Sequence, residues 1–188
     1  MRRVSLLSLV SIIILLFFIL MALGSNESTE PQKVERPETE ETAVSTPVPE
    51  SAVNQQLFNM GDTVSMGNLE VTLNSARWDG GSQFMQPCEG EWWLVLDVTI
   101  ENKGDEAVAI SSLLMFSLYD EDAYSCDMEF FAETKGNLDG EVGAGRKMRG
   151  EIAFSVDENQ KQWEFIFDPN IFGFGQAIYL VNVEDVSG

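Results

Sequence analysis

The sequence has no histidine among its 188 residues. Without an imidazole base, no Ser-His-Asp or Cys-His arrangement of nucleophilic catalysis can be assembled. Most zinc and other transition-metal centres lose their commonest nitrogen ligand in the same way. Cysteine is scarce as well: Cys88 and Cys126 are the only two, so no thiolate cluster can be completed. Positive charge is sparse, with 11 Lys and Arg against 31 Asp and Glu and a formal net charge of −20. Setting aside Arg2 and Arg3, which precede an apolar run, takes the remainder to about −22. Such a surface repels nucleic-acid phosphates and anionic lipid headgroups, which excludes nucleic acid as an expected partner. Solvation, including in salty surroundings that screen self-repulsion, is the simplest reading of this acidity. No Ser-x-x-Lys occurs, and past residue 56 no apolar i, i+3, i+4, i+7 pattern lasts three turns. Of enzymatic devices only paired carboxylates remain, and these need a cleft that a compact domain of this size seldom offers.

What is present begins with MRRVSLLSLVSIIILLFFILMALGS. A charged Arg2-Arg3 head, an apolar run and a small-residue end are the layout of a signal peptide or an N-terminal membrane anchor over residues 1–24. The run from Val4 to Gly24 is long enough for the roughly 20 residues that span a bilayer, and Ala22-Leu23-Gly24 is an acceptable cleavage site. Both readings export everything that follows. The chain is therefore expected to be held to the membrane through its N-terminal segment, or secreted if that segment is cleaved. Ser25 follows Gly24 where a lipoprotein would need cysteine.

Residues 25–56 are rich in Pro, Glu, Ser and Thr and poor in large apolar side chains. They cannot bury enough surface to offset ordering entropy, so a disordered, extended stalk is expected. Asn26-Glu27-Ser28 is a formal glycosylation sequon, which makes Asn26 a candidate acceptor; an unmodified spacer is the alternative.

From residue 57 to 188 the texture changes to short alternating runs separated by Gly, Asn, Asp and Pro. Leu69, Val71 and Leu73 share a face, as do Trp163, Phe165 and Phe167. Met148, Ile152, Phe154 and Val156 oppose Lys147, Arg149, Glu151 and Ser155. In EWWLVLDVTIEN, Trp92, Leu94, Leu96, Val98 and Ile100 are expected to fill a core, leaving Trp93, Val95, Asp97 and Thr99 outward. Further strands are expected at 107–110, 113–119 and 176–183. Half-buried strands at this spacing predict an all-β antiparallel sandwich of the immunoglobulin-like kind, because each apolar face needs a facing sheet.

Candidate sites are few. Two thiols in an oxidising compartment favour a Cys88–Cys126 disulfide, which would contribute about 3–4 kcal/mol by constraining the unfolded chain. Asp120, Glu121, Asp122 and Asp127 gather hard oxygen ligands that would suit calcium, yet the EF-hand spacing is missing and a solvated acidic turn explains them as well. Gly140 to Lys147 lacks the Gly-Lys-Ser/Thr ending of a phosphate loop and reads as a turn feeding a strand. Asn102-Lys103-Gly104-Asp105-Glu106 reads as a strand-to-strand turn. Trp78, Phe84 and Met85, and Ile171, Phe172 and Phe174, fall in loops where aromatics either plug the core's open ends or bind something. No catalytic residue and no cofactor site is expected.

Trp93-Leu94-Val95-Leu96-Asp97-Val98-Thr99-Ile100-Glu101-Asn102-Lys103-Gly104-Asp105-Glu106 resembles the signature of an uncharacterised family of exported immunoglobulin-like domains. Phe116-Ser117-Leu118-Tyr119-Asp120 and the run from Gly145 to Val156 extend the resemblance, which covers roughly Met60 to Val183. Members of that family are similar in fold to a secreted mycobacterial immunoprotective antigen and are sometimes labelled telomeric repeat-binding factor. That label conflicts with an export signal and an acidic surface. The resemblance implies a sandwich outside the cell and no catalytic residues. The expected function is an extracytoplasmic binding or accessory module whose partner is a protein or surface ligand of unknown identity. A calcium- or cation-responsive structural domain using the Asp120–Asp127 region stands second, and an extracellular enzyme third.

Overall fold

The computed structural model describes residues 32–33, 56–169 and 175–188. Segment 1–24, Asn26, the expected stalk apart from residues 32, 33 and 56, and the aromatics at 171–174 lie outside the described residues. Among the described residues no helix is long and apolar enough to cross a membrane.

In chain order the elements are β1 (Gln32–Lys33), β2 (Leu57–Asn59), β3 (Thr63–Met66), β4 (Leu69–Asp79), β5 (Glu91–Asn102), β6 (Val108–Ile110), a helical turn α1 (Ser112–Met115), β7 (Phe116–Asp120), β8 (Met128–Glu129), β9 (Gly140–Val142), β10 (Lys147–Asp157), β11 (Gln162–Phe167), β12 (Ala177–Asn182) and β13 (Val186–Ser187). One sheet runs β1-β3-β4-β5-β10-β8, with β13 also on β4; the other runs β2-β12-β11-β7; β6 and β9 form a separate ribbon. The two sheets enclose one core, as the alternating patterns require.

Several expectations meet corrections. Pairing is antiparallel except for β2 on β12 and β13 on β4, which run parallel. Strand β3 covers β4 only from Leu69 to Thr72, and β13 takes the vacated flank at Ala76 and Arg77. Gln32 and Lys33 pair with Ser65 and Val64 at the sheet edge, which leaves the expectation of a stalk over 25–56 untested. The strand expected at 113–119 begins only at Phe116; before it, α1 leaves Leu113 and Leu114 exposed.

The core is dense in aromatics. Phe116 stacks on Phe165 at 5.7 Å, Phe154 meets Phe165 edge-on at 6.3 Å, and Phe58 lies 6.0 Å from Tyr179. Such pairs add about 0.5–1.5 kcal/mol each beyond their burial. The Tyr179 hydroxyl donates to the Val71 carbonyl at 2.8 Å, tying the second sheet to the first, and burial holds its pKa well above the usual phenol range.

A register change at Asn74 decides where β4 goes. Leu73 pairs with Val98 and Ser75 with Asp97, so Asn74 is bulged out. Leu69, Val71 and Leu73 face the core before the bulge; Ala76 and Trp78 do so after it, while Arg77 and Asp79 turn outward. One extra residue shifts the inward set by one, as a side-chain period of two demands. Trp78, expected in a loop, is thereby a strand residue packed against the core.

At the other end of β5, Asn102 is the one fully buried polar residue among those described. Its Nδ2 donates to the carbonyls of Glu106 (2.6 Å) and Val142 (2.8 Å), and its Oδ1 accepts from the Gly104 N–H (2.9 Å). Its backbone N–H donates to Arg146 O and its carbonyl accepts from Gly145 N–H. The turn at 102–106 is real, and Asn102 fastens it to β9 and to the β9–β10 turn.

The expected Cys88–Cys126 disulfide is not formed; both cysteines are free. Cys126 turns inward and packs against the core, whereas Cys88 is exposed on the loop leading to β5. Burial, with the nearby Asp120 and Asp127 carboxylates, pushes the Cys126 thiol up to about 11. A thiol reagent at about pH 8 should therefore label Cys88 promptly and Cys126 only on unfolding, because the thiolate is the reactive form; mass mapping reads the sites. Asn102→Ala should cost about 2 kcal/mol in urea unfolding, since it leaves the buried Val142 carbonyl, and the part-buried Glu106 carbonyl and Gly104 N–H, without their partner.

Candidate functional site

The first sheet's outer face is not the open surface that alternation along β5 suggests. Trp93 is 3% exposed and Val95 1%, and they form a second cluster with Ala132 and Ala153. Two loops cover them. Strand β8 pairs with β10 at Met128 and Glu129, the chain then leaves the edge, and it rejoins β10 where the Glu151 N–H reaches Lys135 O. Between those points residues 130–134 lie across the outer face, setting Ala132 on Trp93, Val95 and Ala153. The loop at 80–90 closes from the other side: a Cβ on Gly81 would stand 2.9 Å from the Trp93 ring and 2.2 Å from Met85 O. Gly81 also has φ +76°, so glycine is required there twice over.

One carboxylate pins both loops. Asp79, turned outward by the bulge, accepts from the Gly81 N–H at 2.8 Å through Oδ1 and from the Glu133 N–H at 2.8 Å through Oδ2. Arg77, its neighbour on the same face, donates to Glu133 O and pairs with Glu151 at 2.9 Å. Glu151 in turn accepts from the Lys135 N–H. Within the loops, Ser82 Oγ accepts from the Met85 N–H (3.2 Å) and Glu129 Oε1 from the Phe131 N–H (2.6 Å). These anchored loops hold Phe84 (89% exposed), Met85, Phe130 (72%) and Phe131 (63%) out in solvent.

Phe84 and Met85 thus do not plug the core. Phe130 and Phe131 escaped sequence reasoning, although two consecutive Phe flanked by Glu129 and Glu133 were a visible signal of a surface apolar step. Trp92, expected in the core, is partly exposed at the sandwich end, 6.2 Å from Trp78, which meets Trp163 edge-on at 5.8 Å. The end of the core is closed by Trp78 and Trp163 instead.

The acidic candidates separate in role. Asp120 Oδ1 accepts from the N–H groups of Asp122 and Tyr124, building the turn after β7, and Oδ2 lies 3.3 Å from Gln160 Nε2. Asp122 also approaches Gln160, at 3.4 Å, and the Asp127 carbonyl caps the edge at Ser155. Among the described residues no group of three Asp, Glu or Cys side chains is placed to hold a metal ion. Beside this turn lies a hollow of about 330 Å³ bordered by Tyr119, Asp120, Glu121 and Trp163. The buried Trp163 indole N–H finds no acceptor among the described residues.

Asp97 and Thr99 do face outward, on the stretch the loops leave uncovered. Arg149 grips Asp97 through Nε (2.9 Å) and Nη2 (2.6 Å), and the bulged Asn74 donates to both Asp97 (3.1 Å) and Thr99 (2.9 Å). The Arg149 contact holds the Asp97 carboxyl below its usual value of 3.8, burial opposing it. A depressed folded pKa stabilises the fold fully above the unfolded value and loses that contribution as pH falls through the folded value. Comparing parent with Arg149→Ala in urea, the stability difference should hold steady from about pH 5 to 8 and fade below 3.8.

No curated protein matches the chain. Among solved structures it is similar to ycdA, described as a candidate lipoprotein, of Bacillus subtilis subsp. subtilis str. 168: TM-score 0.56, 17% identity, over 68% of this chain and 40% of that one. The chain thus spans about two fifths of ycdA's length. The yjhA protein of Bacillus subtilis aligns with TM-score 0.52 and 17% identity over 67% of this chain and 100% of its own. MPT63, a secreted protein of Mycobacterium tuberculosis, aligns with TM-score 0.47 and 11% identity over 70% of this chain and 99% of its own. The first two show a shared fold. The model of the family described as Domain of unknown function (DUF4352) matches residues 58–178, and the chain belongs to that family.

Proposed function

We propose that this is an exported, immunoglobulin-like β-sandwich that works by contact, as a non-enzymatic binding or accessory module held at or released from the cell surface. The observation that carries the reading is the pair of pinned loops presenting Phe84, Met85, Phe130 and Phe131 to solvent. Exposed apolar side chains in one region are costly in water unless something covers them. Loops on a rigid scaffold are where binding residues concentrate. Export is supported by the Arg2-Arg3 head and apolar run, and by the likeness to a candidate lipoprotein. The cation-responsive reading has less in its favour, because both Asp120 oxygens already serve the turn and Gln160.

Cross-linking on intact host cells, with a photoreactive group placed at position 84 or 131, should capture one recurrent neighbour. The same group at position 113, on the separate exposed turn, should not. Equal capture from all three positions, or none from any, would remove the contact reading.

A further inference from the structure

We infer that the loop surface around Trp93 receives a protein segment with an apolar centre and a Lys/Arg-rich border. This rests on the contact reading and names the partner's chemistry. The apolar centre is Phe84, Met85, Phe130 and Phe131, on loops that converge on Trp93 and Asp79. The border is acidic and follows from register. Glu91 lies two residues before Trp93 on the same outer face, with its carboxylate accepting from Ser155 Oγ. Glu129 pairs with Ala153, Asp127 sits beside Ser155, and Glu133 follows Ala132. Residues 80–90 contain Glu89 and no Lys or Arg. Of the nearby cations, Arg77 is engaged by Glu151 and Glu133, leaving Lys135 at the far end of the loop.

Charge decides among the occupants of an apolar patch. A second copy would bring the same acidic border against this one, and the net charge of −20 opposes it at longer range. An anionic membrane is repelled for the same reason. A basic amphipathic segment satisfies both parts: its apolar residues cover the four exposed side chains, and its ammonium or guanidinium groups meet Glu91, Glu129 and Glu133. Aromatic anchors ringed by charge are the usual arrangement of such contacts.

The test uses the full chain as an exporting host leaves it, immobilised, with a synthetic Leu–Lys amphipathic peptide as probe and a Leu–Glu peptide as its charge-reversed counterpart. The Leu–Lys peptide should bind and the Leu–Glu peptide should not. Phe84→Ser, Phe130→Ser and Phe131→Ser together should weaken binding about tenfold or more, whereas Leu113→Ser with Leu114→Ser should change it less than about twofold. Both sets alter exposed side chains, and unchanged thermal melts confirm the fold. Equal binding by parent and Phe variant would reduce the interaction to bulk charge and overturn the inference. So would patch-dependent binding to phosphatidylcholine vesicles, or a dimer in sedimentation that the Phe variant dissolves. Site-specific capture at positions 84 and 131 alongside any of these results would leave the contact reading standing and discard only the partner's chemistry.

Discussion

A single buried carboxamide holds together the part of the domain where three chain segments meet. Asn102 lies at the end of the longest strand, wholly out of water, and a polar group so placed is tolerable only when its hydrogen bonds are made. Its side chain makes three, and its backbone adds two more to the β9–β10 turn. The turn after β5, the β6–β9 ribbon and the start of β10 are therefore set by one residue. Nearby, Glu70 and Glu101 stand directly opposite each other, a repulsive pairing made acceptable by Lys103, which bridges both, and by Lys147 on Glu101.

The same strand is treated differently along its length. Near Asn102 its outer face carries charge in water. Toward Trp92 the outer face is apolar, and two loops close over it. The bulge at Asn74 links the halves: it turns Arg77 and Asp79 outward, where they fasten the loop at 130–134. Close approach fixes the path at the sheet edge too. A Cβ on Gly150 would stand 2.8 Å from the Asn137 backbone, and one on Gly136 2.5 Å from Arg149 O, so both positions admit only glycine. The chain then passes inward and buries Leu138 in the main core.

That arrangement separates the groups that hold the fold together from the apolar side chains left in solvent. The main core is closed by its own aromatics, and the loops are anchored by backbone hydrogen bonds to half-buried carboxylates. Phe84, Phe130 and Phe131 contribute little to either and remain in solvent. On the proposed contact reading, the acidic surface disfavours self-association of this patch and favours a partner of the opposite sign.

Alternation alone placed Leu69, Val71, Leu73, Phe154, Val156, Trp163, Phe165 and Phe167 in a core, and the β-sandwich followed, because side-chain period and the need to cover an apolar face are local properties of the chain. Composition likewise removed imidazole catalysis and argued against nucleic acid. What alternation did not reveal was the bulge, because only Ala76 and Trp78 carry the shifted phase after it. Nor could it reveal that Trp93 and Val95 are covered, because the cover comes from two loops, one of them nearly forty positions away. The two cysteines looked like a pair on the sequence, but Cys126 is drawn into the core and Cys88 is left outside it. Scaffold residues are read from their own neighbours in sequence; the loop surface exists only because distant segments meet over one tryptophan.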